Sequence, residues 1–221
     1  MNSGLHYASS ATGPSDLTEM LFRQNNMAKY GIQAAPDHDP GRVFHYADAT
    51  ANILSFIERK VLGDQQYHRF PYEALFYKIG MNSAILEIDA SGTFVGSSYC
   101  YATARDWARF GLLYLNDGVW NGQRILPDGW VQFTATPTAA RNEEGKGAYG
   151  ALWWVNKPDN KGIQKYPHVP LDCISCQGYE GQFVAVIPSK KLVVVRLALE
   201  RGDKLNGDTF LTNVIKALPR E

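Results

Sequence analysis

Apolar residues recur three or four positions apart through the first half of the chain, and glycine and proline separate these segments. Residues with that spacing line one face of a helix, so the pattern predicts a series of amphipathic helices. Serine, threonine and aspartate ahead of several segments are typical helix caps. The predicted helices cover about residues 16–29, 48–61, 71–79, 104–116 and 127–133.

The pattern changes in the last third of the chain. Residues 148–156, 182–187 and 192–199 are rich in β-branched and aromatic side chains, which predicts about three strands. Residues 188–191 form a short turn signal, so the last two strands are expected to pair as an antiparallel hairpin. Apolar residues at helical spacing over 209–218 predict a closing helix.

Helices followed by strands and a final helix predict an α+β fold rather than an alternating βαβ fold. The expected organisation is one interleaved domain. Residues 1–140 form a mainly helical subdomain, and residues 141–221 form an antiparallel sheet portion with the C-terminal helix.

Charge and hydropathy exclude two classes of partner. The 221 residues carry 22 Lys or Arg and 22 Asp or Glu, without blocks of like charge, so no nucleic-acid partner is expected. Arg196 interrupts the best apolar run, 192–199, which is far shorter than the roughly 18 residues of a membrane span. No signal peptide is visible, and three cysteines fit a reducing compartment, so the sequence predicts a soluble chain.

Motifs for nucleotide and zinc chemistry are absent from the sequence, including glycine-rich phosphate loops, HExxH and GxSxG. Cys173 and Cys176 form a CxxC pair, but no second pair completes four zinc ligands. The simpler interpretation is that two small apolar side chains enter a strand. No metal and no cofactor are therefore expected.

Three turn-like segments carry the candidate chemistry. Tyr46 and Asp48 precede a predicted helix, Ser97 and Ser98 follow Gly96, and residues 178–182 lead into a predicted strand. Each segment alone is explained by turn and capping chemistry, with Asp48 as a helix N-cap. Taken together and in this order, the three segments are more informative about function than any one of them alone.

In that order the segments resemble the serine β-lactamase-related hydrolases. This family includes class C β-lactamases, DD-peptidases, family VIII-type esterases and 6-aminohexanoate-dimer hydrolases. Residues 1–5 resemble the family segment M-T-S-G-L, and residues 40–48 resemble P-G-x-x-x-x-Y-[SA]-N. Residues 96–130 resemble the nylon-oligomer hydrolase branch most closely. The resemblance implies a β-lactamase/transpeptidase-like fold.

The resemblance also implies roles for particular residues. In the family, a serine on a Ser-x-x-Lys helix turn attacks an ester or amide, and a lysine and a tyrosine transfer the proton. Tyr46 matches that tyrosine, and Asp48 stands where relatives carry asparagine. Residues 178–182 match the strand segment with Lys-Thr-Gly or His-x-Gly, which relatives use to meet a substrate carboxylate.

This chain departs from that last motif. Tyr179 is neutral and Glu180 is acidic, while Gly181 keeps the glycine and the backbone N–H of Gln182 is the expected second oxyanion donor. Like charges repel, so weak or absent β-lactamase activity is expected. The predicted substrates are small neutral or amine-bearing esters or amides.

The nucleophile of the family is missing. No serine in the 221 residues is followed by lysine three positions later. In relatives that motif lies upstream of the M-T-S-G-L segment, so the chain is expected to begin inside a family member, with an incomplete sheet. Residues 192–199 would then form an open apolar edge, which proteins normally cover. The expected partner there is an N-terminal fragment, a second copy of the chain or a rearranged segment.

Three functional hypotheses remain open at this point. The first is a portion of a serine acyl hydrolase, inactive without its nucleophile segment. The second is a noncatalytic binding or scaffold protein that retains the fold. The third is an enzyme with a replacement nucleophile, such as Ser97, Ser98 or Cys100, although none has a lysine or histidine partner visible in the sequence.

Overall fold

The computed structural model describes residues 1–11, 13–200 and 205–219. Its helices are α1 (Asp16–Arg23), α2 (Met27–Ile32), α3 (Asp48–Leu62), α4 (Asp64–Pro71), α5 (Ala104–Leu115), α6 (Trp130–Thr134) and α7 (Gly207–Lys216). Its strands are β1 (Val43–Phe44), β2 (Ile85–Leu86), β3 (Cys100–Tyr101), β4 (Val119–Trp120), β5 (Gln123–Arg124), β6 (Arg141–Asn142), β7 (Ala148–Tyr149), β8 (Trp154–Val155), β9 (Ile174–Gln177), β10 (Phe183–Ile187) and β11 (Leu192–Arg196).

The described residues divide into two compact units. The helical unit consists of Met1–Tyr77, Asn82–Ala102 and Ala139–Glu144. The sheet unit consists of Lys78–Met81, Thr103–Thr138 and Gly145–Glu221, as far as these residues are described. The boundary at residue 140 that the sequence suggests stays a prediction.

The helical pattern predicts α3 and α5 well but places two other helices incorrectly. Residues 16–29 form two helices, because Gln24 is extended and the Asn26 side chain caps α2 by accepting from the Lys29 N–H at 2.8 Å. Pro71 ends α4 instead of beginning a helix. A π-helical turn, Tyr72–Phe76, follows it.

The sheet has five antiparallel strands in the order β11-β10-β9-β8-β7, two more than predicted. Residues 148–156 form the hairpin β7–β8 rather than one strand. A side chain on Gly150 would lie 2.0 Å from the Thr134 carbonyl oxygen, and Leu152 adopts a left-handed conformation at the turn. The segment with Cys173 and Cys176 contains β9, so the interpretation of this pair as residues entering a strand is confirmed.

Alternate residues of β10 and β11 face two different helices. Ala185, Ile187 and Val194 pack against Leu211 of α7. Val186 and Val193 share a second cluster with Phe110, Tyr114 and Leu115 of α5. This period of two is what a strand buried on both faces requires.

Gly111 lets α5 approach the sheet closely. A side chain there would lie 2.5 Å from a methyl group of Val193 and 3.2 Å from one of Val184. The helix therefore lies over the gap between β10 and β11. Within the described residues, no helix has the length and apolar character to cross a bilayer.

Candidate functional site

Tyr46 lies in a short junction between β1 and α3, in the helical unit. Val43 and Phe44 are buried and pair in parallel with β6. Ala47 is the N-cap of α3 and makes no side-chain capping bond, so the prediction that Asp48 caps this helix is wrong. Asp48 is instead the first helical residue. We call residues 43–48 the Tyr46 junction.

A carboxylate distant in sequence fixes the backbone of Tyr46. The Tyr46 N–H donates to Oε1 of Glu144 at 2.7 Å. The Glu144 N–H in turn donates to the side chain of the buried Asn142 at 3.0 Å. Sequence analysis missed Glu144, and no motif marks it, because 98 residues separate it from Tyr46.

His45 also takes part in this arrangement. Its Nε2 lies 2.6 Å from the Tyr7 carbonyl oxygen, and its Nδ1 lies 3.6 Å from Oε1 of Glu144. Tyr46 is half-buried. Its backbone is held by the Glu144 carboxylate and by the neighbouring His45, which contacts the Tyr7 carbonyl oxygen. Such a support is what a proton-transferring side chain requires.

Asp48 is a half-buried residue at the start of α3. Burial raises its pKa from 3.8 to about 6. Burial, and then the nearby charge of Asp48, raise the pKa of the Tyr7 phenol. Near pH 5 most Asp48 carboxyls are therefore protonated, and the group can then donate a hydrogen bond as the asparagine of relatives would.

The segment predicted to bind the oxyanion forms a tight turn between β9 and β10, in the sheet unit. Residues Tyr179–Gly181 form a single 3₁₀ turn, and Tyr179 is exposed. Glu180 is left-handed, with φ 57° and ψ 34°, and Gly181 has φ 83°. The Glu180 carbonyl oxygen accepts from the Glu200 N–H at 3.1 Å. We call residues 178–182 the 178–182 turn.

Side chains from β11 and the residues after it hold this turn. Nη1 of Arg196 donates to the Gly181 carbonyl oxygen at 2.8 Å and pairs with Oε1 of Glu200 at 2.6 Å. The side-chain oxygen of Gln182 accepts from the Ala198 N–H at 3.0 Å, and its amide nitrogen donates to the Ala198 carbonyl oxygen. Sequence analysis missed Arg196 and Glu200 as supports of the turn.

The backbone of Gln182 closes the 178–182 turn. Its carbonyl oxygen accepts from the Gly178 N–H at 2.9 Å. Gln182 directly follows the 3₁₀ turn Tyr179–Gly181, and its side chain bonds to Ala198. The role of its N–H as an oxyanion donor stays a prediction.

The replacement nucleophiles lie in unsuitable surroundings. Ser97 Oγ accepts from the Asn52 amide at 3.1 Å and lies 3.5 Å from Ser98 Oγ, and an amide cannot act as a base. Burial raises the pKa of Cys100 to about 11, which disfavours the reactive thiolate. Residues 1–11, 13–200 and 205–219 contain no group of three or more His, Cys, Asp or Glu that could hold a metal ion.

The predicted site residues thus form two sets. Tyr46 and Asp48 lie in the helical unit, whereas Tyr179, Glu180, Gly181 and Gln182 lie together in the sheet unit. The catalytic and substrate-binding roles of both sets stay predictions.

Comparison with known proteins identifies the family. A sequence model of the family described as Beta-lactamase matches residues 2–209. The 6-aminohexanoate-dimer hydrolase of Paenarthrobacter ureafaciens is 26% identical over 164 residues, which are 70% of this chain and 39% of that protein. A Bacillus anthracis structure provisionally named 6-aminohexanoate-dimer hydrolase superposes with a TM-score of 0.74 and 22% identity, over 100% of this chain and 61% of that one.

A penicillin-binding protein homolog from Caulobacter crescentus also superposes, with a TM-score of 0.70 and 14% identity, over 97% of this chain and 67% of its own. These likenesses confirm the predicted β-lactamase/transpeptidase-like fold. The chain spans about two fifths of the length of the Paenarthrobacter hydrolase and about three fifths of the Bacillus structure. Since the family match extends through nearly all of its residues, this chain belongs to the beta-lactamase family.

Proposed function

We propose that this chain supplies the proton-transfer and oxyanion-binding parts of a serine acyl hydrolase. The observation that carries the proposal is the support of Tyr46, whose N–H is held by Glu144 at 2.7 Å beside the start of α3. Tyr46 would return the serine proton to the leaving group. The N–H of Gln182 would bind the oxyanion.

The serine nucleophile and its lysine would come from polypeptide outside these 221 residues. The sequence contains no Ser-x-x-Lys, and a tyrosine with an ordinary pKa near 10 is a poor base without a neighbouring cation. Tyr46 is therefore expected to act only when that lysine is present. A separate N-terminal fragment or a longer form of the chain could provide both groups.

The proposed substrates are small neutral or amine-bearing esters and amides. Asp48 and Glu180 add acidic groups where the family resemblance leads one to expect an amide and a basic or neutral side chain. A carboxylate attracts an ammonium group and repels a substrate carboxylate. The name of the Paenarthrobacter relative refers to a dimer of 6-aminohexanoate.

A fluorophosphonate probe, which labels activated serines, tests the proposal. The 221-residue chain alone should not be labelled, and the same chain joined to an upstream segment with Ser-x-x-Lys should be labelled on that serine. In the joined form, Tyr46→Phe should slow labelling about 100-fold or more. Tyr179→Phe, which changes an exposed phenol, is the matched control and should leave the rate within about twofold.

Labelling of a serine within these 221 residues would refute the proposal, as would full activity of Tyr46→Phe. The absence of Ser-x-x-Lys also favours a second candidate, a noncatalytic binding protein that keeps the fold. Failure of every joined form to react with the probe would favour that second candidate.

A further inference from the structure

A cleft of about 220 Å³ opens within the helical unit. Its walls come from the segment before α1, from α1 and α2, and from the residues after α2: His6, Tyr7, Asp16, Tyr30, Gln33, Ala34 and Ala35. A protein cavity of roughly 150 Å³ is large enough for benzene, so this cleft has room for a small cyclic molecule. We call it the Asp16 cleft.

Hydrogen bonds between its walls hold the cleft open in a fixed shape. Asp16 is the first residue of α1, and its Oδ2 accepts from the Ala8 N–H at 2.7 Å. Its Oδ1 accepts from the Tyr30 hydroxyl of α2 at 2.6 Å. The His6 N–H donates to the Ala35 carbonyl oxygen at 2.8 Å. These bonds join the three walls, so a ligand would enter a preformed site.

The cleft carries one negative charge that no basic group of the described residues balances. The hydrogen bond from Tyr30 lowers the pKa of Asp16, so this carboxyl is ionised at neutral pH. In the described ranges, Asp16 forms no ion pair with a lysine, arginine or histidine. His6, the basic residue of the lining, pairs instead with Asp37, whose Oδ2 lies 2.8 Å from its Nδ1.

Two tyrosines stand beside that carboxylate. Tyr7 is buried and Tyr30 is half-buried, so both present mainly apolar surface with little freedom to move. Aromatic rings attract cations, and a carboxylate next to an apolar wall attracts them more strongly than one in open water. Aromatic walls with a single carboxylate therefore suit an ammonium group on a compact hydrocarbon body.

We propose that the Asp16 cleft binds a small organic cation of this kind. The ammonium group would lie against the Asp16 carboxylate, and the hydrocarbon body would lie against Tyr7 and Tyr30. Neutral and anionic molecules of the same shape would bind more weakly, because the carboxylate does not attract them. The lining includes neither Tyr46 nor any residue of the 178–182 turn, so this site is independent of the proposed function.

Titration of the full ¹⁵N-labelled 221-residue chain, followed by amide chemical shifts, tests this proposal. The probes are cyclohexylammonium, cyclohexanol and cyclohexanecarboxylate, which share one ring and differ in charge. With cyclohexylammonium, amides of residues 6–8, 16 and 30–35 should shift and saturate together. The alcohol and the carboxylate should bind at least about tenfold more weakly.

Charge changes at the rim test the electrostatic part without altering the walls. Gln33 is exposed, so its replacement should not affect folding. Gln33→Lys should weaken the binding of cyclohexylammonium roughly threefold, and Gln33→Glu should strengthen it by a similar factor. Gln66→Lys is the matched control, because Gln66 is exposed in α4 and does not line the cleft. It should leave the dissociation constant unchanged.

Asp16→Asn should abolish saturable binding of cyclohexylammonium. Because Asp16 also accepts two hydrogen bonds, this variant could fail to fold, and the Gln33 pair then decides the question. Equal affinity for all three probes would overturn the proposal, since it would indicate apolar binding alone. The proposal would also fail if the cleft amides did not shift, or if Gln33→Lys and Gln33→Glu bound cyclohexylammonium equally well.

Discussion

The Tyr46 junction is held mainly by backbone pairing, with the Glu144 carboxylate in addition, whereas side-chain ends make most of the contacts that hold the 178–182 turn. The Tyr46 N–H is bonded to Glu144, and the backbone around it is paired with β6 and with the first residues of the chain. The turn is held by Arg196 and Gln182. Backbone groups cannot move aside without disrupting an element, but side-chain ends can change rotamer at small cost.

This difference predicts unequal responses to similar substitutions. An atom added to a side chain near the Tyr46 junction should be accommodated only if the backbone there unfolds locally. A group inserted beside the 178–182 turn should be accommodated by moving Arg196 or Glu200. The four predictions below test this comparison, from the largest expected effect to the smallest.

Gly4→Ala should have the largest effect. Gly4 has φ 79°, and an added Cβ would lie 2.0 Å from the His38 carbonyl oxygen, a backbone atom that cannot rotate away. We expect a loss of about 3 kcal/mol or more in the free energy of unfolding, measured with urea. Gly41→Ala is the matched control, since Gly41 has φ 83° and no atom within 4 Å. Equal losses in both variants would contradict the assignment to the contact with His38.

Asp48→Asn should stabilise the protein at high pH. Asp48 titrates near 3.8 when unfolded and near 6 when folded, so the folded chain binds the extra proton between these values. The stability linked to this group is fully present below about pH 3.8 and is lost as the pH rises from there through 6. Asparagine removes the cost of the desolvated charge, which we expect to be about 3 kcal/mol at pH 8 and near zero at about pH 3. An equal change at both pH values would show that Asp48 does not titrate as described.

Gly181→Ala should cost less than Gly4→Ala. An added Cβ would lie 2.5 Å from Nη1 of Arg196 and from the carboxyl carbon of Glu200, which are movable side-chain ends. We expect a loss of about 2 kcal/mol, mainly from the left-handed backbone at φ 83°. In a protein that already carries Arg196→Ala, adding Gly181→Ala should cause a smaller loss in the free energy of unfolding. If the cost stays the same, Arg196 is not the group displaced.

Gln182→Ala should have the smallest effect, about 1 kcal/mol, because it removes two hydrogen bonds to the partly exposed Ala198. Amide exchange at Ala198 should become faster. Gln177→Ala removes a side chain that bonds to the Tyr166 hydroxyl instead, so it should leave exchange at Ala198 unchanged. Unchanged exchange in Gln182→Ala would show that the turn is held by other contacts.

Much of the fold could be predicted from local patterns. The apolar faces of α3, α5 and α7 repeat at helical spacing, and the hairpin β10–β11 has β-branched residues on both sides of a short turn. Strand β9 was predicted only as an unbounded strand that Cys173 and Cys176 enter, because just four residues form it. A pattern of period two needs more residues than that to be recognised.

The site could be predicted only in part, for a different reason. Family motifs point to Tyr46, Asp48 and residues 179–182 because these residues are close together in sequence. Glu144 and Arg196 are not marked by any motif, since each acts on residues that lie 15 to 98 positions away. Their contacts arise from β6 pairing with β1 and from β11 pairing with β10.

By itself the sequence determined helices α3, α5 and α7, the motif residues of the candidate chemistry and the absence of Ser-x-x-Lys, because these depend on spacing along the chain. Only the tertiary structure decided that desolvation raises the pKa of Asp48 and that Arg196 holds Gly181. It also decided the strand order β11-β10-β9-β8-β7 among the described residues. Burial, long-range hydrogen bonds and strand order are set by packing between distant segments, and no local pattern encodes them.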